Sequence, residues 1–345
     1  MLSTREVYNQ IQNPLDDIDI IKMLIYGYID NYPAYFLATN CLYKENKKED
    51  INQKNEFYSL IFNTWKNNII NMNNERISYL LKQGKIEKDF LILKKYLLNI
   101  PNMSSVSEID IFWENIEKDE QIKNILCKYS YEHWSIWHHI FASKILLNDE
   151  LNFDVEHRLY LNTDLSSIHE IMKYYLEKCF KYNIPFYFKY CEQTTRNDCI
   201  VIYTNTDNLA KNIEILREIK KEHPELSSRI YYPPILTGPI DEWIGYGSEP
   251  KQQITNISFN EKRSEIIYPI IEKVTKIWYE KTFGKTDLIG YELRDLLRRF
   301  AEDIKLNQNY ITMIQEELKK EAKRYDIDEN NFSIDNSAKK RMLKL

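Results

Sequence analysis

Between residues 155 and 205 the chain changes its period. "VEHRLYLNT" (155–163), "PFYFKYCEQ" (185–193) and "DCIVIYTN" (198–205) have the length and composition of short strands. The intervening "SSIHEIMKYYLEKCFKYN" repeats its apolar residues at helical spacing. A strand, helix, strand order with a third strand across a short polar turn restricts this part to α+β or α/β topology. "NLAKNIEILREIKKEHPELSSR" follows as a further helix, and "YYPPILTGPIDEWIGYGSEP", with four prolines and three glycines, reads as an ordered, irregular loop.

The first 150 residues read as helical instead. "DDIDIIKMLIYGYIDNY" has an acidic start and apolar residues at Ile18, Ile21, Leu24 and Ile25. "NEFYSLIFNTWKNNIINM", "KDFLILKKYLLNI" and "IDIFWENIEK" continue the pattern, with breaks at Gly84 and Pro101. "SFNEKRSEIIYPIIEKVTKIWYEKT" and "GYELRDLLRRFAEDIKL" are amphipathic helices near the C-terminus, and residues 331–345 read as a frayed tail. The expected architecture is therefore α+β. A helical accessory region occupies 1–150, and a mixed α/β domain with a small sheet flanked by helices occupies 151–330.

The strands carry an unusual load of positive charge. Arg158, Lys189 and Arg196 lie in or beside the most apolar segments, where basic side chains are rarely buried unless paired. Either they are three snorkelling surface residues or they form one anion site. Strand alternation puts Arg158 and Tyr160 on one face, and His157, Leu159 and Leu161 on the other. His157 then reads as a core-edge histidine, and Tyr160 is the better candidate for chemistry.

Tyr187, Lys189 and Cys191 share a face of the second strand. Lys189 either sits on a solvated edge or, among Phe186, Tyr187, Phe188 and Tyr190, belongs to an apolar setting that favours a neutral amine. Arg196 can be a turn residue paired with Asp198, and Tyr203 a core residue. As a set on adjacent strands they can form a phosphate pocket, because guanidinium forks match phosphate oxygens.

Other chemistries find less support. There is no G-x-G-x-x-G or Walker-type loop, and the chain has only 7 glycines. The formal net charge of −5 does not suggest nucleic-acid binding. His133, His138 and His139 lack the i, i+4 pair of helical zinc motifs, so no metal site is expected. The five cysteines form no C-x-x-C pair, and no apolar run is long enough to cross a bilayer. A soluble, cytoplasmic protein is the resulting expectation.

The ordered set "RLYLN", "PFYFKY", "TTRNDCIVIY", "YYPPILTGPIDEWIGYGSEP" and "SFNEKRSEII" resembles the HopA-type effector domain. That family includes injected bacterial effectors and the lyases of class V lanthipeptide and thioamide-peptide maturation. The resemblance runs from about residue 155 to about 310, and departs from the family pattern at Asn260, where a glycine is usual. It implies a lyase that eliminates phosphate from phosphoserine or phosphothreonine, with neither metal nor organic cofactor.

Under that resemblance Lys189 is the base, and Arg158, Arg196 and Arg263 hold phosphate. Tyr160 donates a proton or orients the phosphate, and Tyr203, Tyr187 and Glu249 line the pocket. Arg263 can alternatively pair with Glu261 or Glu265 within its own helix. The implied partners are a phosphorylated precursor peptide and a separate kinase, with residues 1–150 binding a leader or partner. Two other readings stay open: an injected phosphothreonine lyase acting on a host kinase, and a non-catalytic phosphopeptide- or leader-binding partner of a kinase.

Overall fold

The computed structural model of the 345-residue chain describes residues 2–29, 74–82, 88–129, 155–182, 184, 186–190, 197–249, 259–284 and 308–345, with scattered helical positions between 59 and 71. Its centre is β1 (His157–Thr163), the "HRLYLNT" segment, every residue of which is buried. β1 pairs antiparallel with β3 (Ile200–Thr204) on one side and β6 (Ile244–Ser248) on the other. β2 (Phe188–Tyr190) extends the sheet beyond β3, and β5 (Gly238–Pro239) extends it beyond β6. β4 (Ile230–Tyr231) adds a short pairing to the end of β1.

Among the described residues, the N-terminal helices are α1 (Thr4–Gln10), α2 (Ile18–Ile29), α3 (Asn74–Lys82), α4 (Lys88–Leu98), α5 (Val106–Lys118) and α6 (Glu120–Tyr129). α7 (Leu165–Tyr182) is the expected helix between the first two strands. α8 (Thr206–Glu222) ends two residues before Pro224, with His223 as its cap, whereas the sequence pattern extends it to Arg229. Proline disfavours helical backbone at the residue before it, and a short 3₁₀ turn, Pro224–Arg229, continues in its place. The later helices are α9 (Phe259–Phe283), α10 (Gln308–Arg324) and α11 (Asn336–Leu343).

The fold is thus mixed α/β, with a small antiparallel sheet flanked by helices. One face of the sheet carries His157, Leu159, Leu161, Ile202, Ile244 and Tyr246 into a core shared with α7 and α8. Tyr175 of α7 donates its hydroxyl to Asn212 Oδ1 of α8 at 2.7 Å and meets Phe188 edge-on at 6.2 Å between centroids. A second core joins α2, α9 and α10 through residues such as Ile25, Ile267, Ile271 and Ile314.

Two expectations are corrected. The loop read as irregular contains β5 and β6, so its "IGYGS" stretch is an inner strand of the sheet. Its glycines masked the strand pattern because a strand normally presents side chains at those positions. The expected frayed tail is also ordered. β7 (Ile327–Asp328) pairs with β8 (Asn331–Asp335), every residue of β8 is buried, and Ala338 and Met342 of α11 are inaccessible.

The N-terminus is built against this end of the chain. Thr4 Oγ1 donates to the Met342 carbonyl at 3.0 Å, and Asn331 Nδ2 donates to the Ile11 carbonyl at 2.9 Å. The Gln12 amide donates to the Pro239 carbonyl at 2.9 Å, and the Leu2 amide donates to Glu214 of α8 at 2.6 Å.

Candidate functional site

Register decides which side chains share a face. Arg158 stands opposite Tyr203 on β3 and Gly247 on β6, and Tyr160 stands opposite Val201 and Gly245. Lys189 stands opposite Val201 from the other side, and the Tyr203 amide donates to the Tyr187 carbonyl at 2.8 Å. Directly opposed residues of antiparallel strands point the same way. Arg158, Tyr160, Tyr203, Tyr187 and Lys189 therefore lie on one face, away from the main core.

These side chains meet over Tyr203. Arg158 Cζ lies 5.2 Å from its ring centroid and Lys189 Nζ 6.0 Å from it, so two basic side chains approach one ring. Tyr187 stacks on the same ring, at 4.5 Å between centroids and 25° between planes. An aromatic face attracts a cation such as the Arg158 guanidinium electrostatically and offers apolar surface to a neutral amine. Arg158 also donates through Nε to Glu249 Oε2, just past the end of β6.

Burial raises the Tyr160 phenol above its ordinary range, although the charge of Arg158 pulls the other way. Burial likewise pushes Tyr203 up to about 12, again against Arg158. Both hydroxyls therefore keep their protons at neutral pH. Burial disfavours the charge on Arg158, yet its surroundings, including the Glu249 hydrogen bond, hold it above its ordinary value. The face thus presents a charged arginine, paired with a carboxylate, beside two protonated phenols.

His157, on the opposite face, is fully buried. Its Nδ1 is 2.7 Å from Tyr246 Oη and its Nε2 3.0 Å from Thr206 Oγ1, and burial pushes its pKa down to about 3. It is a neutral core histidine, as strand alternation indicated.

Arg263 is placed differently from the sequence reading. It pairs with neither Glu261 nor Glu265 in the structure. Its Nε donates to the Phe332 carbonyl at 2.7 Å and its Nη2 to Asp335 Oδ1 at 2.6 Å, with 1% of the residue exposed. The guanidinium is thus taken up by β8, a partner hidden in the supposed tail. Glu249, expected as a pocket wall, is the carboxylate that holds Arg158. Arg196, Cys191 and the His133, His138 and His139 cluster lie outside the described residues. Among the described residues no cluster of His, Cys, Asp or Glu has the makings of a metal site, and no helix is long and apolar enough to cross a membrane.

Sequence reasoning missed what closes the face. Gly245 and Gly247 fall opposite Tyr160 and Arg158, so the strand presents no side chains there. A Cβ on Gly247 would stand 3.0–3.1 Å from three ring atoms of Phe259. One on Gly245 would stand 2.3 Å from Thr237 Oγ1 and 2.7 Å from Pro233 Cβ. The i, i+2 spacing of "GYG" was the available signal, since it places both glycines on one side of a strand. Asp198 was also missed as a neighbour. It is buried, and its charge helps to raise the phenols of Tyr160 and Tyr203.

Fold and site together define a mixed α/β protein whose small antiparallel sheet bears a basic, aromatic cluster on one face. Residues 141–269 match the HopA1 effector protein family, so the HopA-type resemblance holds over the segment that builds this sheet. The match takes in Arg158, Tyr160, Lys189, Tyr203 and Glu249, together with the start of α9. Among solved structures, the effector protein from Pseudomonas syringae pv. syringae strain 61 aligns at 12% identity with a TM-score of 0.33, over 52% of this chain and 57% of that one. The aligned part is thus little more than half of that effector's length. No curated protein sequence matches the chain.

Proposed function

We propose that this protein is a carbon–oxygen lyase that removes phosphate from phosphoserine or phosphothreonine in a ribosomally made precursor peptide, leaving dehydroalanine or dehydrobutyrine. The observation that carries the reading is the convergence of Arg158 and Lys189 on Tyr203 beside the protonated Tyr160. β-Elimination must take a weakly acidic Cα proton while it expels an anion. Lys189, as a neutral amine, takes that proton. The Cα–H electrons form the Cα=Cβ bond, the Cβ–O bond breaks, and the oxygen departs with phosphate. Arg158 holds the phosphate, with Arg196 as a second cation, and Tyr160 donates a proton or hydrogen bond to the leaving group. In this reading Arg263 acts through the packing it anchors. The peptide reaches the enzyme already phosphorylated, so a kinase must act first.

The family description favours a second reading, in which the same residues act on a phosphothreonine of another cell's protein as an injected effector. Mass spectrometry of a phosphoserine or phosphothreonine peptide, incubated with purified protein and chelator, tests the chemistry common to both. Loss of the whole phosphoric acid unit, leaving an alkene that a thiol traps, is the expected result. Recovery of an ordinary hydroxyl would mean hydrolysis and end the lyase reading. Binding without conversion would leave a phosphopeptide-binding partner. Comparison of precursor and kinase-derived phosphopeptides then separates the two substrate classes.

A further inference from the structure

We infer that Phe259, at the first turn of α9, is a positioning residue that fixes the ring of Tyr160, and that it is held in place by the Arg263–Asp335 pair of the C-terminal segment. This rests on the lyase reading for its kinetic consequence only; the geometric part stands independently.

Phe259 is 2% exposed and forms one small cluster with Tyr160, Val201 and Tyr203, apart from the two larger cores. Its ring centroid is 6.0 Å from that of Tyr160, with planes tilted by 43°. The ring is seated over Gly247, where a Cβ would come within 3.0–3.1 Å of it. The strand has therefore given up a side chain at the position in register with Arg158, and the aromatic ring occupies that room.

From the other side, Arg263 Cζ lies 4.8 Å from the Phe259 ring centroid and 5.4 Å from that of Phe332. Its guanidinium cannot shift easily, because Asp335 and the Phe332 carbonyl both accept from it. A chain of contacts thus runs from β8 through Arg263 and Phe259 to Tyr160. The Phe259 ring carries no group that could transfer a proton. Its influence on elimination is confined to where the Tyr160 hydroxyl points, and such misplacement is costly in rate even when the catalytic groups remain.

Two measurements on the full chain test this. With a phosphopeptide that the wild type converts, Phe259→Leu is expected to lower kcat by about tenfold or more while KM changes by less than about twofold. Ile270→Ala, in the neighbouring core of the same helix, serves as the control for general loosening and should leave kcat near wild type at temperatures well below its Tm. Equal losses of kcat in both variants, or a rise in KM alone for Phe259→Leu, would overturn the assignment.

The second measurement does not require turnover. With 3-fluorotyrosine at position 160, the ¹⁹F spectrum should show one sharp resonance in the otherwise native chain, and broadened or multiple resonances with Phe259→Leu or Asp335→Asn. An unchanged resonance in both would refute the positioning role whatever the protein catalyses. A wild type with no elimination activity would count against the lyase reading, and this spectrum would still decide the role of Phe259.

Discussion

Arg158 and Glu249 form a largely buried ion pair, with Arg158 Nε donating to Glu249 Oε2 and the guanidinium carbon lying 5.2 Å from the Tyr203 ring centroid. The carboxylate fixes one edge of the guanidinium and the ring its face. Under the proposed lyase reading, a phosphate would meet an arginine that is already ordered.

Removing Glu249 leaves Arg158 largely buried without its carboxylate. Glu249→Ala is expected to destabilise the fold by roughly 1–3 kcal/mol. Urea unfolding at neutral pH measures this. An Arg158→Met/Glu249→Ala double variant should regain part of the loss, because the uncompensated charge is gone. A double variant less stable than Glu249→Ala by the full Arg158→Met increment would mean that the pair is not coupled.

Lys189 should separate binding from chemistry. Lys189→Ala is expected to reduce elimination by about 10³-fold or more, at the level of losing a general base, while affinity for the phosphopeptide stays within about threefold because Arg158 remains. Single-turnover mass spectrometry and titration calorimetry check the two halves. Full activity in Lys189→Ala would end its assignment as the base.

His157 should give the protein an acid-sensitive step in stability. Its folded pKa is pushed down to about 3 from an ordinary 6.5, so between those values the unfolded chain binds more protons than the folded one. Stability is therefore fully present above pH 6.5 and falls as the pH drops through this window, by about 1.4 kcal/mol per pH unit from this group. Urea midpoints at a series of pH values should show the slope. His157→Gln, which can keep hydrogen bonds to Tyr246 and Thr206, should lose about one proton's share of it.

Asp335 is the other partner whose loss exposes the design. The Arg263–Asp335 pair is almost completely buried, with side-chain exposures of 1% and 4%. Asp335→Ala is expected to cost about 3–5 kcal/mol, since it leaves a guanidinium without its carboxylate in the interior. Thermal and urea unfolding would read this directly. A change within experimental error would show that solvent reaches Arg263 readily.

Which side chains of β1 and β2 share a sheet face could be read from the sequence, and the reason is local. Strand period alone put Arg158 with Tyr160 and set His157 apart, because alternate residues must face opposite ways. The aromatic setting of Lys189 is also local, since its neighbours in sequence are its neighbours on the strand. The order of strands and of helices α7 and α8 followed from period and turn residues in the same way. "IGYGS" resisted that reading, because a strand whose outward side chains are missing has no alternation to detect.

What the tertiary structure alone decided is which distant groups meet. Register, set by hydrogen bonding between strands far apart in sequence, brought Tyr203 under Arg158 and placed two glycines beside them. The partner of Arg263 lies 72 residues away in Asp335, on a segment whose polar composition suggested fraying. Such composition is compatible with burial when each polar group finds a partner, and that condition depends on packing across the chain. Residue types and period determined the kind of face this sheet could present. The packing of α9 and β8 against it determined how that face is held.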